Sequence, residues 1–207
     1  GNIYYDFAFP NVDTTSFITT WTTTADNETI TIPTTGIGYN YTVTTSDGQT
    51  FTNTTGDQII TFATAGDYDV SISGVFPRIY FNDAGDKTKL IDIKQWGDIA
   101  WTNFTNSFKG CSNLVGTYTD APDLSGITTL NNAFRDCSVF TGKVSNWDVS
   151  NVTSMTSVFR GASLFNSDLT GWDVSNNTRL NSSFQGALSF NQPIGSWDVG
   201  NVTTFQL

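Results

Sequence analysis

The chain of 207 residues contains no histidine, one glutamate (Glu28), one methionine (Met155), two cysteines and five lysines. Each shortage excludes something. Without histidine there is no Ser-His-Asp or Cys-His machinery, no imidazole acid–base group and no histidine metal site. With so little Glu, Met and Lys, the sequence lacks the residues that favour a helical bundle or coiled coil. Two cysteines are too few for a disulfide scaffold. No apolar run reaches the roughly 20 residues of a membrane-spanning helix. Residues 1–77 hold eight acids and not one Lys or Arg, and the whole chain carries −10. Such a chain has no basic footprint for nucleic acid and is repelled by an anionic membrane surface. It opens Gly1-Asn2-Ile3-Tyr4, without initiator methionine or signal sequence, and reads as a mature form or an excised fragment.

Threonine is abundant, at 34 residues, and aromatics make up 14 %. That many large aromatic side chains require burial, which argues against disorder. Charge is unevenly placed: residues 78–207 carry eleven acids and nine bases, close to balance, unlike the base-free segment before them. This break points to two domains.

The C-terminal part repeats. Trp147, Trp172 and Trp197 are 25 residues apart, as are Phe134, Phe159 and Phe184, and Phe140, Phe165 and Phe190. Phe108 precedes Phe134 by 26. Aligned, the segments read FKGCSNL, FRDCSVF, FRGASLF and FQGALSF, separated by PDLSGITTL, WDVSNVTSM, WDVSNNTRL and WDVGNVTTF. A unit this short has no core of its own and buries its apolar face only by stacking on its neighbours. The pattern predicts a mainly β fold in which each repeat is one coil of a parallel solenoid. Its short strand would run from Phe140 to Trp147 and equivalents, with a turn and an irregular or 3₁₀ piece over Asn151–Phe159.

The motif F-x-x-C-x-x-L/F followed by W-D-V-S-N-V-T-x-M resembles BspA-type leucine-rich-repeat bacterial surface proteins with repeats of about 25 residues, over roughly residues 100–207. The resemblance implies a leucine-rich-repeat-like solenoid, secretion and adhesion to proteins or other cells, and it supplies no catalytic residues. Asn177 departs from the apolar column of Val152 and Val202, and Gly200 from a serine column.

Residues 17–76 alternate Thr with apolar residues at Thr29-Ile30-Thr31-Ile32, Tyr39 to Thr45 and Ile59 to Phe62, between turn signals such as Asp47-Gly48 and Gly66-Asp67. Short alternating strands of this kind predict an antiparallel sandwich. The segment ending Ala65-Gly66-Asp67-Tyr68-Asp69-Val70-Ser71-Ile72 resembles the PKD-type immunoglobulin-like domain, which implies a spacer role. The expected division is therefore an N-terminal extension or first strand at 1–16, a PKD/Ig-like β-sandwich at 17–76 and a solenoid at 77–207. Within the solenoid, 77–100 forms a joining or capping coil, with Leu90-Ile91-Asp92-Ile93 as its first strand. The last repeat is expected to be truncated, because its next Phe would fall at about position 209, so that further repeats or another chain would cover that end.

Three groups of residues are candidates for chemistry. Asp123, Asp148, Asp173 and Asp198 share one repeat position. They are either a calcium ladder, since hard oxygen ligands suit calcium, or Asx-turns in which each carboxylate accepts backbone N–H groups. Cys111 and Cys137 share a column later filled by Ala162 and Ala187, and are either a cross-coil disulfide or two buried thiols. Trp147, Trp172 and Trp197 are either an exposed aromatic row that stacks on a ligand such as a sugar, or core packing. The Asn-x-Ser/Thr sequons of a chain this rich in Asn and Thr, among them Asn151, Asn176 and Asn201, read as turn residues. No nucleophile motif or identifiable carboxylate pair suggests an enzyme.

The expectation is a secreted or cell-surface module that mediates adhesion to an extracellular protein or glycan through the solenoid face. The alternative is a structural segment of a longer surface fibre, filament or tail, with no ligand of its own.

Overall fold

A computed structural model describes residues 13–204. The expected extension at 1–16 and the truncated end of the last repeat lie largely outside the described residues.

Among the described residues seven strands form two antiparallel sheets: β1 Phe17–Thr23, β2 Glu28–Ile32, β3 Asn40–Thr45, β4 Thr50–Thr54, β5 Gln58–Phe62, β6 Gly66–Val75 and β7 Leu90–Gln95. The larger sheet has the order β4-β3-β6-β1-β7, and β2 pairs with β5 in the smaller one. The alternating Thr and apolar residues explain the layering, because successive side chains in a strand point to opposite faces. Ile30 and Ile32 of β2, Ile60 and Phe62 of β5, Tyr41 and Val43 of β3, and Val70 and Ile72 of β6 all turn inward and are buried. Gly74 of β6 has φ +92°, and a Cβ there would lie 2.9 Å from the Asn40 carbonyl oxygen, so the strand can pass only as glycine.

The boundary expected near residue 77 cuts through this sheet. Instead of beginning a separate capping coil, β7 is the fifth strand, paired with β1 through Trp21–Leu90 and Thr19–Ile93. Its other edge is also occupied. The Ile91 carbonyl accepts the Val115 N–H at 2.9 Å, the Ile93 carbonyl accepts the Thr117 N–H at 3.1 Å, and the Asp92 carboxylate accepts both the N–H and the hydroxyl of Thr117. A run of four residues that is nearly all buried can serve both neighbours at once, which the sequence pattern alone does not reveal. Aromatic packing continues across the junction: Phe17 stacks on Trp96 at 5.5 Å and meets Trp101 edge-on at 5.1 Å. One hydrophobic core therefore runs from Phe17 to Leu180. Cations from the second segment pair with acids of the base-free one, Lys89 with Glu28 at 2.9 Å and Lys94 with Asp69 at 2.7 Å.

The repeats do not build the expected leucine-rich-repeat solenoid. Among the described residues none of them contributes a strand, Phe140–Trp147 included, and their parallel β contacts are single bridges from Ala100 to Asp123, Thr129 to Ser154, Ser154 to Arg179 and Arg179 to Thr204. The physical reason lies in the backbone. Asn132, Ser157 and Ser182 have φ between 52° and 56°, and Asp136, Gly161 and Gly186 between 61° and 76°. A chain that enters the left-handed region twice in this segment stays in turns there, as expected for the irregular piece over Asn151–Phe159. Over Phe140–Trp147 the chain also turns, with the Trp147 N–H folding back on the Val144 carbonyl at 3.1 Å. The contacts between repeats instead run through turns, in which alternate N–H groups point to the next repeat. Met155, Ser157, Phe159 and Gly161 donate to the carbonyls of Arg179, Asn181, Ser183 and Gln185, at 2.8–2.9 Å. The intervening N–H groups of Val158, Arg160 and Ala162 fold back on carbonyls three residues earlier. Two phenylalanine columns pack above this ladder: Phe134, Phe159 and Phe184 at 5.8 and 6.0 Å, and Phe140, Phe165 and Phe190 at 6.2 and 5.9 Å.

Asn177, which breaks the apolar column, is buried but satisfied. Its amide donates to the Val152 carbonyl at 3.4 Å and its oxygen accepts the Arg179 N–H at 3.0 Å.

Candidate functional site

The tryptophans do not form an exposed row. Trp147 and Trp172 are 3 % and 4 % exposed, and Trp197 is half-buried against the same core. The Trp172 indole N–H donates to the Val144 carbonyl and the Trp197 indole N–H to the Leu169 carbonyl, both one repeat back. Trp172 and Trp197 stack with each other at 6.3 Å and 5°. Their faces are spent on one another, which leaves Trp147 and Trp172 unavailable to a ligand.

The aspartate column does not fit a calcium ladder. Each carboxylate turns back into its own turn: Asp123, Asp148, Asp173 and Asp198 accept the N–H of Ser125, Ser150, Ser175 and Gly200 at 2.9–3.1 Å. The Ser125, Ser150 and Ser175 hydroxyls and N–H groups hold the first three carboxyls below the usual range. Among the described residues no three His, Cys, Asp or Glu side chains come together as metal ligands. The neighbouring asparagines extend the turn into a ladder, since Asn151, Asn176 and Asn201 donate to the carbonyls of Ser125, Ser150 and Ser175.

Cys111 and Cys137 are both buried free thiols. The Cys137 thiol donates to the Phe108 carbonyl at 3.0 Å. Burial pushes both thiols well above the usual range, which makes them inert packing groups.

What the repeats do present is a groove of about 380 Å³ across two of them, lined by Thr141, Lys143, Ser145, Leu164, Ser167 and Asp168, with Asn166 at its edge. Its walls are held in place by the bonds between repeats. The Ser167 hydroxyl accepts the Val144 N–H at 3.0 Å, and the Leu164 N–H donates to the Ser138 carbonyl at 3.1 Å. Asn166 is tied to the following repeat, accepting from Asn191 N–H and Gln192 side-chain amide at 2.9 Å. Asp168 is held below its usual range by the N–H and hydroxyl of Thr170 and stays anionic. The groove thus offers one cation, one anion, several hydroxyl and amide groups, and the half-exposed apolar Leu164. Sequence reasoning passed over these residues because they lie between the recurring Phe and Trp columns of the repeat. The available signals were Lys143, one of only five lysines, and Leu164, a large apolar residue where the preceding repeats have Asn113 and Val139.

Comparison with known families bears on residues 81–207, which match the family described as Mycoplasma protein of unknown function, DUF285. The chain belongs to the DUF285 family. The DUF285 match starts at Phe81, whose N–H opens the ladder of bonds between repeats by donating to the Ser107 carbonyl. It includes β7, all the tryptophan and phenylalanine columns and the groove. This assignment overturns the resemblance to BspA-type leucine-rich-repeat proteins, and the leucine-rich-repeat solenoid falls with it; the PKD-like reading of residues 17–76 receives no support from a match that begins at Phe81. No curated protein and no solved structure matches the chain.

Proposed function

We propose that the protein is a secreted or cell-surface binding module that holds an extracellular protein or glycan across the groove between residues 141–145 and 164–168. One observation carries this reading. The groove walls come from two repeats locked together by backbone bonds, so the hydroxyls, Lys143, Asp168 and Leu164 are presented without a large ordering cost on binding. A mixture of opposite charges, hydroxyls and one apolar side chain suits a polar chain with an apolar face, such as an oligosaccharide or an extended peptide. Binding to glycan and matrix-protein arrays, compared between the wild type and K143E/D168K, tests it. A specific hit that the double substitution abolishes supports the reading, and a hit that it leaves unchanged removes the groove from it. Digestion by protease added outside intact cells tests the location.

A second reading, a structural segment of a longer surface assembly, is favoured by a different observation. Phe184, Phe190 and Trp197 line an apolar concavity of about 460 Å³ in the last described repeat. A blank array together with assembly through that concavity would select it.

A further inference from the structure

The groove between residues 141–145 and 164–168 keeps its two charges on separate walls. On one wall Thr141 and Lys143 are exposed, and Val144 is buried. On the other Leu164, Asn166 and Asp168 are exposed, and Phe165 is buried. Lys143 and Asp168 are 25 residues apart, so they hold the same position on neighbouring repeats. The bond from the Val144 N–H to the Ser167 hydroxyl crosses between the walls beside them. Even so, the two charges do not pair with each other, and neither forms an ion pair among the described residues. The Asp168 carboxylate is held in its own turn instead, accepting the Thr170 N–H at 2.9 Å and the Thr170 hydroxyl at 2.8 Å.

This arrangement limits what can lie in the groove. A neutral chain strips water from both charges and offers neither a counter-charge. A polyanion meets Asp168 and a polycation meets Lys143, each a like-charge contact. A ligand that carries both signs at one level satisfies both walls. We propose that the ligand is an extended peptide segment with an acidic and a basic residue side by side, the acid against Lys143 and the base against Asp168, and an apolar residue against Leu164. The proposal rests on the groove being the binding site and narrows its ligand to one class, because an oligosaccharide of neutral or acidic sugars fails on the counts just given. Successive side chains of an extended peptide point to opposite sides, so two adjacent residues reach opposite walls. Leu164 and Asp168 are four residues apart on one wall, which places the apolar residue of the ligand about four positions from its basic one.

The test pans a library of random seven-residue peptides against the full chain, beside K143A/D168A and the charge-swapped K143D/D168K. The wild type is expected to enrich peptides with an adjacent acid and base and an apolar residue about four positions from the base. K143A/D168A should enrich them at least about tenfold less. In K143D/D168K the apolar residue should fall about four positions from the acid, because the cation then shares a wall with Leu164, and a merely structural effect of the substitutions would not move that register. Equal enrichment on the wild type and K143A/D168A overturns the proposal, as does a wild-type selection without both signs. A glycan that binds on arrays and is lost in K143E/D168K, with no peptide enriched, overturns the peptide and leaves the groove standing. A blank in both the library and the arrays overturns the two together.

Discussion

The indole N–H of Trp172 donates to the carbonyl oxygen of Val144 at 2.9 Å, a bond between residues 28 apart in sequence that ties one repeat to the one before it. Trp197 repeats the bond with Leu169 at 3.0 Å. Trp147, the first of the column, is equally buried, but its indole N–H has no acceptor among the described residues. The same residue in the same repeat position therefore makes a different contribution in each copy.

Replacing Trp172 with Phe is expected to destabilise the chain by about 1 kcal/mol more than replacing Trp147 with Phe, because only the former loses a hydrogen bond along with its packing. Urea denaturation of the two variants measures the difference. Equal losses would show that the bond contributes nothing net.

Gly161 has φ +71°, and a Cβ at this position would collide with the Asp136 carboxylate of the preceding repeat. Asp136 itself is left-handed, in a column otherwise filled by Gly110, Gly161 and Gly186. Gly161→Ala should therefore cost about 2–3 kcal/mol, part from backbone strain and part from the clash. In an Asp136→Gly background the clash is gone and about 1 kcal/mol of backbone strain remains. A double-mutant cycle reads this coupling directly, and additive effects would refute it.

Acid should weaken the fold in a defined window. The Lys89 ammonium, followed by the N–H groups of Thr24 and Ala25, holds the Glu28 carboxyl at about 2, below its ordinary 4.5. The Ser16 hydroxyl and the Thr15 N–H hold Asp13 at about 2, below 3.8. A carboxyl whose pKa is lower in the folded state binds fewer protons there than when unfolded. Its stabilising effect is complete above the unfolded value and is lost as pH falls toward the folded one. Stability should therefore decline from about pH 4.5 to 2, and Glu28→Gln should flatten that part of the profile. Denaturation midpoints collected across this range check the slope, and an unchanged profile in the variant would rule Glu28 out as a contributor.

The two thiols should be silent in the native protein. Native chain is expected to react slowly with an aromatic disulfide reagent, whereas the denatured chain without added reductant should yield both thiols. Recovery of no thiol after denaturation would mean that Cys111 and Cys137 are joined. Cys111→Ala, which copies Ala162 and Ala187, should cost less than Cys137→Ala, which also loses the bond to the Phe108 carbonyl.

The sequence by itself determined much of this protein. The Thr-apolar alternation at Thr29–Ile32 and Ile59–Phe62 was enough to locate β2 and β5 and their buried faces, because a period of two admits one inward set. The 25-residue spacing of Phe and Trp was enough to show that repeats stack, since a unit so short cannot bury its aromatics alone. Tertiary structure decided what one-dimensional patterns leave open. It placed β7 in the sheet and against the repeats at once, because both its edges found partners far away in sequence. It turned the tryptophan column inward, because Val144 and Leu169 offered carbonyls at the right distance. It also denied Phe140–Trp147 the expected strand, because the Trp147 N–H turns back on the Val144 carbonyl, and it joined the repeats through turns around Ser157 and Gly161, in and just after the segment expected to be irregular, along a backbone path that residue type alone does not specify.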